Sequence, residues 1–447
     1  MNVSLQRAAE RISNGAYTRY GMNIIFVTPA GNVEGRYVIE YTSSSEFAKK
    51  FTTDYTVQTL VNMYDYRYKI FPHRDNLKAI VQIIPMDTAA DRYLTSRPTF
   101  QDVFRCLLID NDDAAANGGS PITSKREGDP RDEEFVFRAQ LVEIPAERIS
   151  YKQGGGLFTF SKTEEVLKGF LQSQVDAESA NNPDMGKVDI SMVPIDPLVP
   201  ERDSIIIPHD KYLVDVPGYI QEHQGGLYTK AVGSFIQRNK WFIFPVFETS
   251  SFVKSTKRLK IIQLDGLKAP ISDRTFTVNG GEITILCTTA GKMQDLSVSS
   301  QINDGTGVRF LKATEMFENT SIGDPNKEAF NREGVSADFQ VGKRADGNNI
   351  AKYGENLITD NIVNEYSKIA FRKGQLFITI WQRSLARLVE PGMPMRLYYD
   401  KGGKTVVYDG TVIQIDEQWT SEAKGLVSKS MISTAAIVCF IDKEEAR

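Results

Sequence analysis

Apolar and polar residues alternate along much of this chain, most clearly near its C-terminal end. Leu376, Ile378 and Ile380, then Leu397 and Tyr399, then Val412, Ile413 and Ile415 recur at or near a spacing of two, the period of strands with one buried face. Residues 369–400, 406–419 and 431–441 therefore predict an antiparallel β-module. The Pro391-Gly392-Met393-Pro394 turn and the Gly402-Gly403 turn separate its strands where special backbone dihedrals are needed.

The same reading predicts strands at 23–28, 36–42, 63–71, 78–85, 103–110 and 133–144, and again within 228–247, 258–264 and 282–287. Residues 111–134 carry an Asp, Ala, Gly and Ser cluster without apolar periodicity and predict a long loop. Ser161 or Thr163 can cap a short amphipathic helix over 162–171, with Glu164 and Glu165 in its first turn and Val166, Leu167, Phe170 and Leu171 on its apolar face. Five prolines within 177–208 disfavour regular structure and predict a linker. A second irregular tract, 303–361, is rich in Gly, Asn and Asp, with a short helix at 312–317.

At 447 residues, with 41% hydrophobic and 25% charged residues, the chain has the composition of an ordinary globular protein. Its length suits about two to four domains. A net charge of −4 does not provide the concentrated basic surface of a nucleic-acid reader. Cys106, Cys287 and Cys439 lie far apart and are expected to be buried, reduced thiols. The polar N-terminal residues predict a helix rather than a secretory signal, and no window is apolar enough for a membrane-spanning helix, so synthesis in a cytoplasm is the expectation.

Candidate chemistry is sparse. His73, His209 and His223 stand singly, without HExxH or CxxC spacing, so no metal site and no cofactor are expected. There is no Gly-x-Ser-x-Gly elbow, and the glycines at 154–156, 305–307 and 291 lack phosphate-loop spacing. Acidic groups at Asp110, Asp112 and Asp113, and at Asp132, Glu133 and Glu134, lack EF-hand spacing and read as solvated loop faces. In the aromatic run, Trp241, Ile243 and Phe247 alternate with Phe242, Phe244 and Val246, so both faces of the strand are apolar. Such a strand belongs in a core or an interface. Trp241, Phe242, Phe244, Phe247, Trp381 and Trp419 are accordingly the candidate core or interface aromatics, and no residue is assigned a catalytic role.

Three segments carry a family resemblance. Gly225-Gly226-Leu227-Tyr228 through Trp241-Phe242-Ile243-Phe244-Pro245 is the first, and Asn303-Asp304-Gly305-Thr306-Gly307-Val308-Arg309 the second. The third runs from Glu390-Pro391-Gly392-Met393-Pro394-Met395-Arg396 to Tyr408-Asp409-Gly410-Thr411-Val412-Ile413-Gln414. Together they resemble the baseplate hub proteins of tailed, especially contractile-tailed, bacteriophages, a superfamily that includes the hub of type VI secretion spikes. The resemblance implies a mainly β fold with two tail-tube-like antiparallel β-barrel domains, short helices and inserted irregular loops. It also implies a homotrimer that joins a hexameric tail tube protein to a trimeric central spike protein and lines the channel for phage DNA, which passes without sequence recognition. Baseplate wedge and tape measure proteins are the further implied neighbours, and the virion tail the implied location.

The expected division is an N-terminal barrel over 1–160, a helix and Pro-rich linker over 161–215, a β-rich segment over 216–345 and a C-terminal barrel over 346–447, with barrels that can be discontinuous in sequence. Other readings stay open: a tube initiator or distal tail protein, a tail-associated cell-wall hydrolase, and a glycan-binding adhesin using Trp241, Trp381 and Trp419. Because no metal-ligand constellation is visible, EDTA is expected to leave the melting temperature unchanged. A fall of more than about 10 °C in a thermal scan contradicts this, since it corresponds to a loss of several kcal/mol.

Overall fold

The two-residue period of the sequence produces one 16-stranded sheet in the computed structural model. The structure describes residues 3–14, 19–87, 92–95, 97–109, 134–159, 162–195, 204–224, 226–228, 231–264, 273–295, 374–401, 404–421 and 429–442. Outside these lie the predicted loop 111–134 apart from Glu134, the tract 303–361 with its short helix, and the Gly402-Gly403 turn. The second resemblance segment and the acidic residues Asp110, Asp112, Asp113, Asp132 and Glu133 are outside them as well.

The first strands are β1 (Tyr20–Thr28), β2 (Gly31–Glu34), β3 (Tyr37–Glu46), β4 (Asp54–Asn62), β5 (Lys78–Asp87), β6 (Arg92–Tyr93), β7 (Phe100–Leu108) and β8 (Glu134–Glu143). They pair antiparallel in the order β3-β4-β8-β7-β5-β1-β2, with β6 on β5. Their inward residues, among them Ile24, Phe26, Val57, Val61, Phe135 and Phe137, are buried in one cluster.

The predicted strand at 63–71 is a correction: it folds as a helical segment, with α, π and 3-10 turns over Met63–Asp65, Tyr66–Ile70 and Phe71–Asn76. Met63, Tyr66 and Ile70 are the buried positions, at spacings of three and four, and Asn62 Oδ1 accepts the Tyr64 N–H at 2.8 Å to start the turn. Aromatic residues fit strands well, which hides this helical spacing. Tyr66 closes one side of the core, its ring 4.3 Å from Phe135 and 5.2 Å from Phe137.

The middle of the chain contributes β9 (Gly156–Thr159), β10 (Asp189–Met192), β11 (Ser204–Ile207), β12 (Val232–Gln237) and β13 (Lys240–Pro245), with helices Ile144–Ser150, Thr163–Asn181 and Val216–His223. The helix predicted over 162–171 continues to Asn181, because Val175 extends its buried face and Gln172 donates to Asp176 one turn on at 2.8 Å. The predicted linker 177–208 is also corrected. It holds β10, parallel to β13, and β11, antiparallel to β9, because the prolines flank rather than interrupt Ile190 and the pair Ile205 and Ile207, all three buried. These pieces enclose a second apolar cluster.

The remaining strands are β14 (Arg258–Gln263), β15 (Phe276–Asn279), β16 (Glu282–Cys287), β17 (Lys292–Asp295), β18 (Gln375–Gln382), β19 (Pro394–Lys401), β20 (Lys404–Ser421) and β21 (Met431–Ile441). They run in the order β15-β16-β14-β19-β20-β21-β18-β17. β14 lies parallel to both β16 and β19, where the resemblance implies antiparallel strands. Side-chain alternation is the same in both directions, so the sequence pattern does not encode strand polarity. The N-terminal helix Val3–Ser13 sets Leu5, Ala9 and Ile12 against Ile262, Leu264 and Leu286, covering the outer side of β14 and β16. No described helix is long and apolar enough to cross a membrane.

β20 links the two groups of strands. It pairs with β19 as far as Thr411 and with β3 from Gln414, and β21 runs along its other side. Val412 and Gln414 oppose the consecutive residues Cys439 and Val438, leaving Ile413 as an extra residue in a β-bulge. The buried positions change parity there, from Val406, Tyr408, Gly410 and Val412 to Ile415, Glu417 and Trp419. A bridge from Gly21 to Ser430 returns β1 to the start of β21. Deleting Ile413 removes the extra residue and leaves Val412 and Gln414 consecutive opposite Cys439 and Val438, so Ile415, Glu417 and Trp419 should stay inward and circular dichroism should still show a cooperative melting transition. Ile413→Val should stay within about 1 kcal/mol of the parent.

Candidate functional site

Along β8, Phe137, Ala139, Leu141 and Glu143 share the inward face. A carboxyl group thus stands where the pattern calls for an apolar residue. Glu143 is only 4% exposed, and burial pushes its carboxyl up to about 7, against a hydrogen bond from Tyr55 and the nearby Arg238. Tyr55 Oη donates to its Oε1 at 2.7 Å, and the Arg238 backbone N–H donates to its Oε2 at 2.8 Å. The Tyr55 hydroxyl is in turn held well above its ordinary value by burial and by Glu143.

Arg238 and Asn239 are the two central residues of the β12–β13 hairpin, which closes with Gln237 opposite Lys240. Their φ angles are +49° and +59°, the pattern of a type I′ turn. Asn tolerates this conformation, whereas Arg does so at a cost of order 1–3 kcal/mol. The turn is held from three sides. Glu143 takes the Arg238 N–H, the Arg238 guanidinium donates to the Arg387 carbonyl, and Asn239 Nδ2 donates to the Met185 carbonyl at 3.2 Å.

Arg387 lies in the 3-10 turn Ala386–Leu388. Its guanidinium grips both carboxylate oxygens of Asp102 on β7, at 3.0 and 3.3 Å, and lies 4.0 Å above the Phe100 ring. Glu417 on β20 sets the position of this turn by accepting the Ser384 hydroxyl at 2.7 Å and the Ala386 N–H at 2.8 Å. The early strands, the middle hairpin and the C-terminal turn therefore meet in one polar junction. Beside it runs a cleft of about 400 Å³, lined by Asp102, Glu143, Pro145, Asp184, Met185 and Arg238 among others. Tyr55 and the Arg238 N–H occupy the two Glu143 oxygens and Arg387 grips Asp102, so both groups hold contacts within the fold. Burial pushes the Cys106, Cys287 and Cys439 thiols up, away from nucleophilic thiolate chemistry.

The candidate aromatics from the sequence are all buried. On β13, Trp241 and Ile243 enter the middle cluster, whereas Phe242 and Phe244 enter the large one, so this strand is shared by two cores. Trp241 Nε1–H donates to Ser234 Oγ at 2.9 Å and Trp381 Nε1–H to Thr275 Oγ1 at 3.0 Å. Phe247 meets Phe440 edge-on at 4.9 Å, and Trp419 stands opposite Tyr41 and Ser433. Buried rings offer no platform to a sugar, which removes the tryptophan basis of the adhesin reading.

At the Pro391–Pro394 turn, the Met393 N–H bonds the Glu390 carbonyl at 3.1 Å and Gly392 has φ +69°, as position i+2 of a type II turn requires. A Cβ at Gly392 would overlap the Phe244 ring, so the turn and the aromatic strand are packed against each other. The sequence pattern did not single out Glu143, Arg238, Asp102 or Arg387. Glu143, a charge at an inward strand position, is the one that left a visible signal.

Gly392→Val should cost on the order of 1–3 kcal/mol from the disfavoured backbone alone, and more through the overlap with Phe244. Denaturant unfolding measures it, and an unchanged midpoint contradicts this packing.

No family model matches the chain, and no curated protein matches it. Among solved structures it is similar to a tail protein from Neisseria meningitidis MC58, at 7% identity and a TM-score of 0.40 over 95% of this chain and 97% of that one. It is similar to the 43 kDa tail protein of prophage MuSo2 from Shewanella oneidensis, at 9% identity and a TM-score of 0.45 over 94% of this chain and 99% of that one. A third is an E. coli type VI secretion component described as structurally similar to T4 bacteriophage tail proteins, at 8% identity and a TM-score of 0.39 over 95% of this chain and 75% of that one. With TM-scores below 0.5, these likenesses lend no argument about activity or partners.

Proposed function

We propose that this chain is a non-enzymatic structural protein of a bacteriophage tail, a homotrimeric baseplate hub that joins the tail tube protein to the central spike protein. The observation that carries this reading is the meeting of two resemblance segments. Gly392 of the closing module packs against Phe244 of the aromatic strand, far away in sequence. In this reading three copies form a pseudo-sixfold ring, line the channel through which DNA leaves without sequence recognition, and contact baseplate wedge and tape measure proteins. The division into 1–160, 161–215, 216–345 and 346–447 belongs to the same proposal, as do assembly in the host cytoplasm and a place in the virion baseplate.

The non-enzymatic part rests on the junction, whose carboxylates are committed to Tyr55, Arg238 and Arg387. Two expected outcomes follow. Light scattering over a concentration series should give a trimer or a monomer that trimerises, and a stable dimer or hexamer counts against the hub. A peptidoglycan zymogram should show no clearing. Clearing that disappears on replacing one acidic residue would favour the cell-wall hydrolase.

A further inference from the structure

We propose that the junction around Glu143 is a pH-sensitive latch: with Glu143 protonated it clamps the Arg238–Asn239 hairpin to the strand frame, and ionisation of Glu143 loosens that hold. Glu143 terminates β8, and the Arg238–Asn239 turn that it holds joins β12 to β13, the strand shared by two apolar cores. The turn has a conformation unfavourable for Arg238 and is held by partners that include this carboxyl group. The adjoining cleft provides a route for water when the hairpin moves away from Glu143.

The groups facing Glu143 come from several elements. Tyr55 extends from β4, with the Tyr41 ring of β3 at 6.0 Å from its own, and Asp102 comes from β7 with its partner Arg387. Arg238 comes from the hairpin, and across the cleft Asp184 is paired with Lys78 at 2.7 Å. One turn along the helix that follows β8, Glu147 is paired with Arg105 at 2.5 Å. The anion gains two hydrogen bonds and the field of Arg238, but loses more through desolvation and through Asp102, which is why its carboxyl is pushed up to about 7.

The direction of the effect follows. Between an ordinary value of 4.5 and about 7, the closed junction keeps a proton that the opened, solvated group releases. The Glu143 contribution to the closed state is therefore greatest at the acid end of this window. It is lost progressively as the pH rises through about 7, and opening levels off above that.

Hydrogen–deuterium exchange on the full chain, corrected for intrinsic exchange, tests this in the peptide covering 232–245, with β1 and β5 as the internal reference. Opening of the hairpin should rise at least about tenfold between pH 5 and pH 7.5, since each pH unit within the window is a factor of ten, and should then level off. Glu143→Gln, whose amide oxygen still accepts the Arg238 N–H and whose NH2 donates to Tyr55 Oη in place of a carboxyl proton, has nothing to ionise and should make the profile flat relative to the reference strands. Equal slopes in the parent and in Glu143→Gln overturn the proposal. Tyr55→Phe provides a second reading if the glutamine variant does not fold. Removing a donor to the anion should move the levelling point to higher pH, and an unmoved point also overturns the proposal.

Discussion

The extra residue in β20 is the constraint on which the rest of the structure depends. Along the 18 residues of β20 the buried positions shift from even numbers up to Val412 to odd numbers from Ile415, while the adjoining β21 alternates without interruption, so the two strands keep their buried faces together only if one residue of β20 is taken up as a bulge. Ile413 changes the parity where the partner changes from β19 to β3. With that change Glu417 points inward, where it holds the Ser384–Ala386 turn that places Arg387 on Asp102. A local irregularity in one strand is thus tied to the charged contact between the early and late parts of the chain.

The junction itself illustrates how a fold tolerates polar groups in its interior. An uncompensated buried carboxyl group is costly, and a positive-φ arginine adds strain. Each accommodates the other here, because Arg238 offers its N–H to Glu143 from a backbone in the left-handed region. Such an arrangement aligns chain segments by directional bonds where apolar packing alone is permissive about angle and register. β13 complements it. Its two apolar faces bind the middle segment to the large core through area, while the adjoining turn sets the alignment.

Much of the architecture was legible in the linear pattern. Alternation located most strands, the apolar positions at 166, 167, 170 and 171 located a helix, and the two-faced aromatic run identified a strand with apolar surroundings on both sides. Where the pattern misled, the cause was physical. Tyr66, Tyr68 and Phe71 are as much at home in strands as in helices, so the segment at 63–71 was resolved by what Met63, Tyr66 and Ile70 bury against. Prolines at 183, 194, 197, 200 and 208 suggested a linker, yet short strands fit in the intervals between them.

The sequence by itself determined the mainly β class, the buried state of the aromatic residues and the tight turn at Gly392, because each depends on local sterics or on the two-residue period of a strand. Only the tertiary structure decided strand polarity, the parallel placement of β14, and the junction of Tyr55, Asp102, Glu143, Arg238 and Arg387. Those five residues span 333 positions, as the Tyr55 and Arg387 numbering shows. Contacts of such separation leave no periodic trace in a chain, since they arise from where whole strands come to rest rather than from the spacing of neighbours.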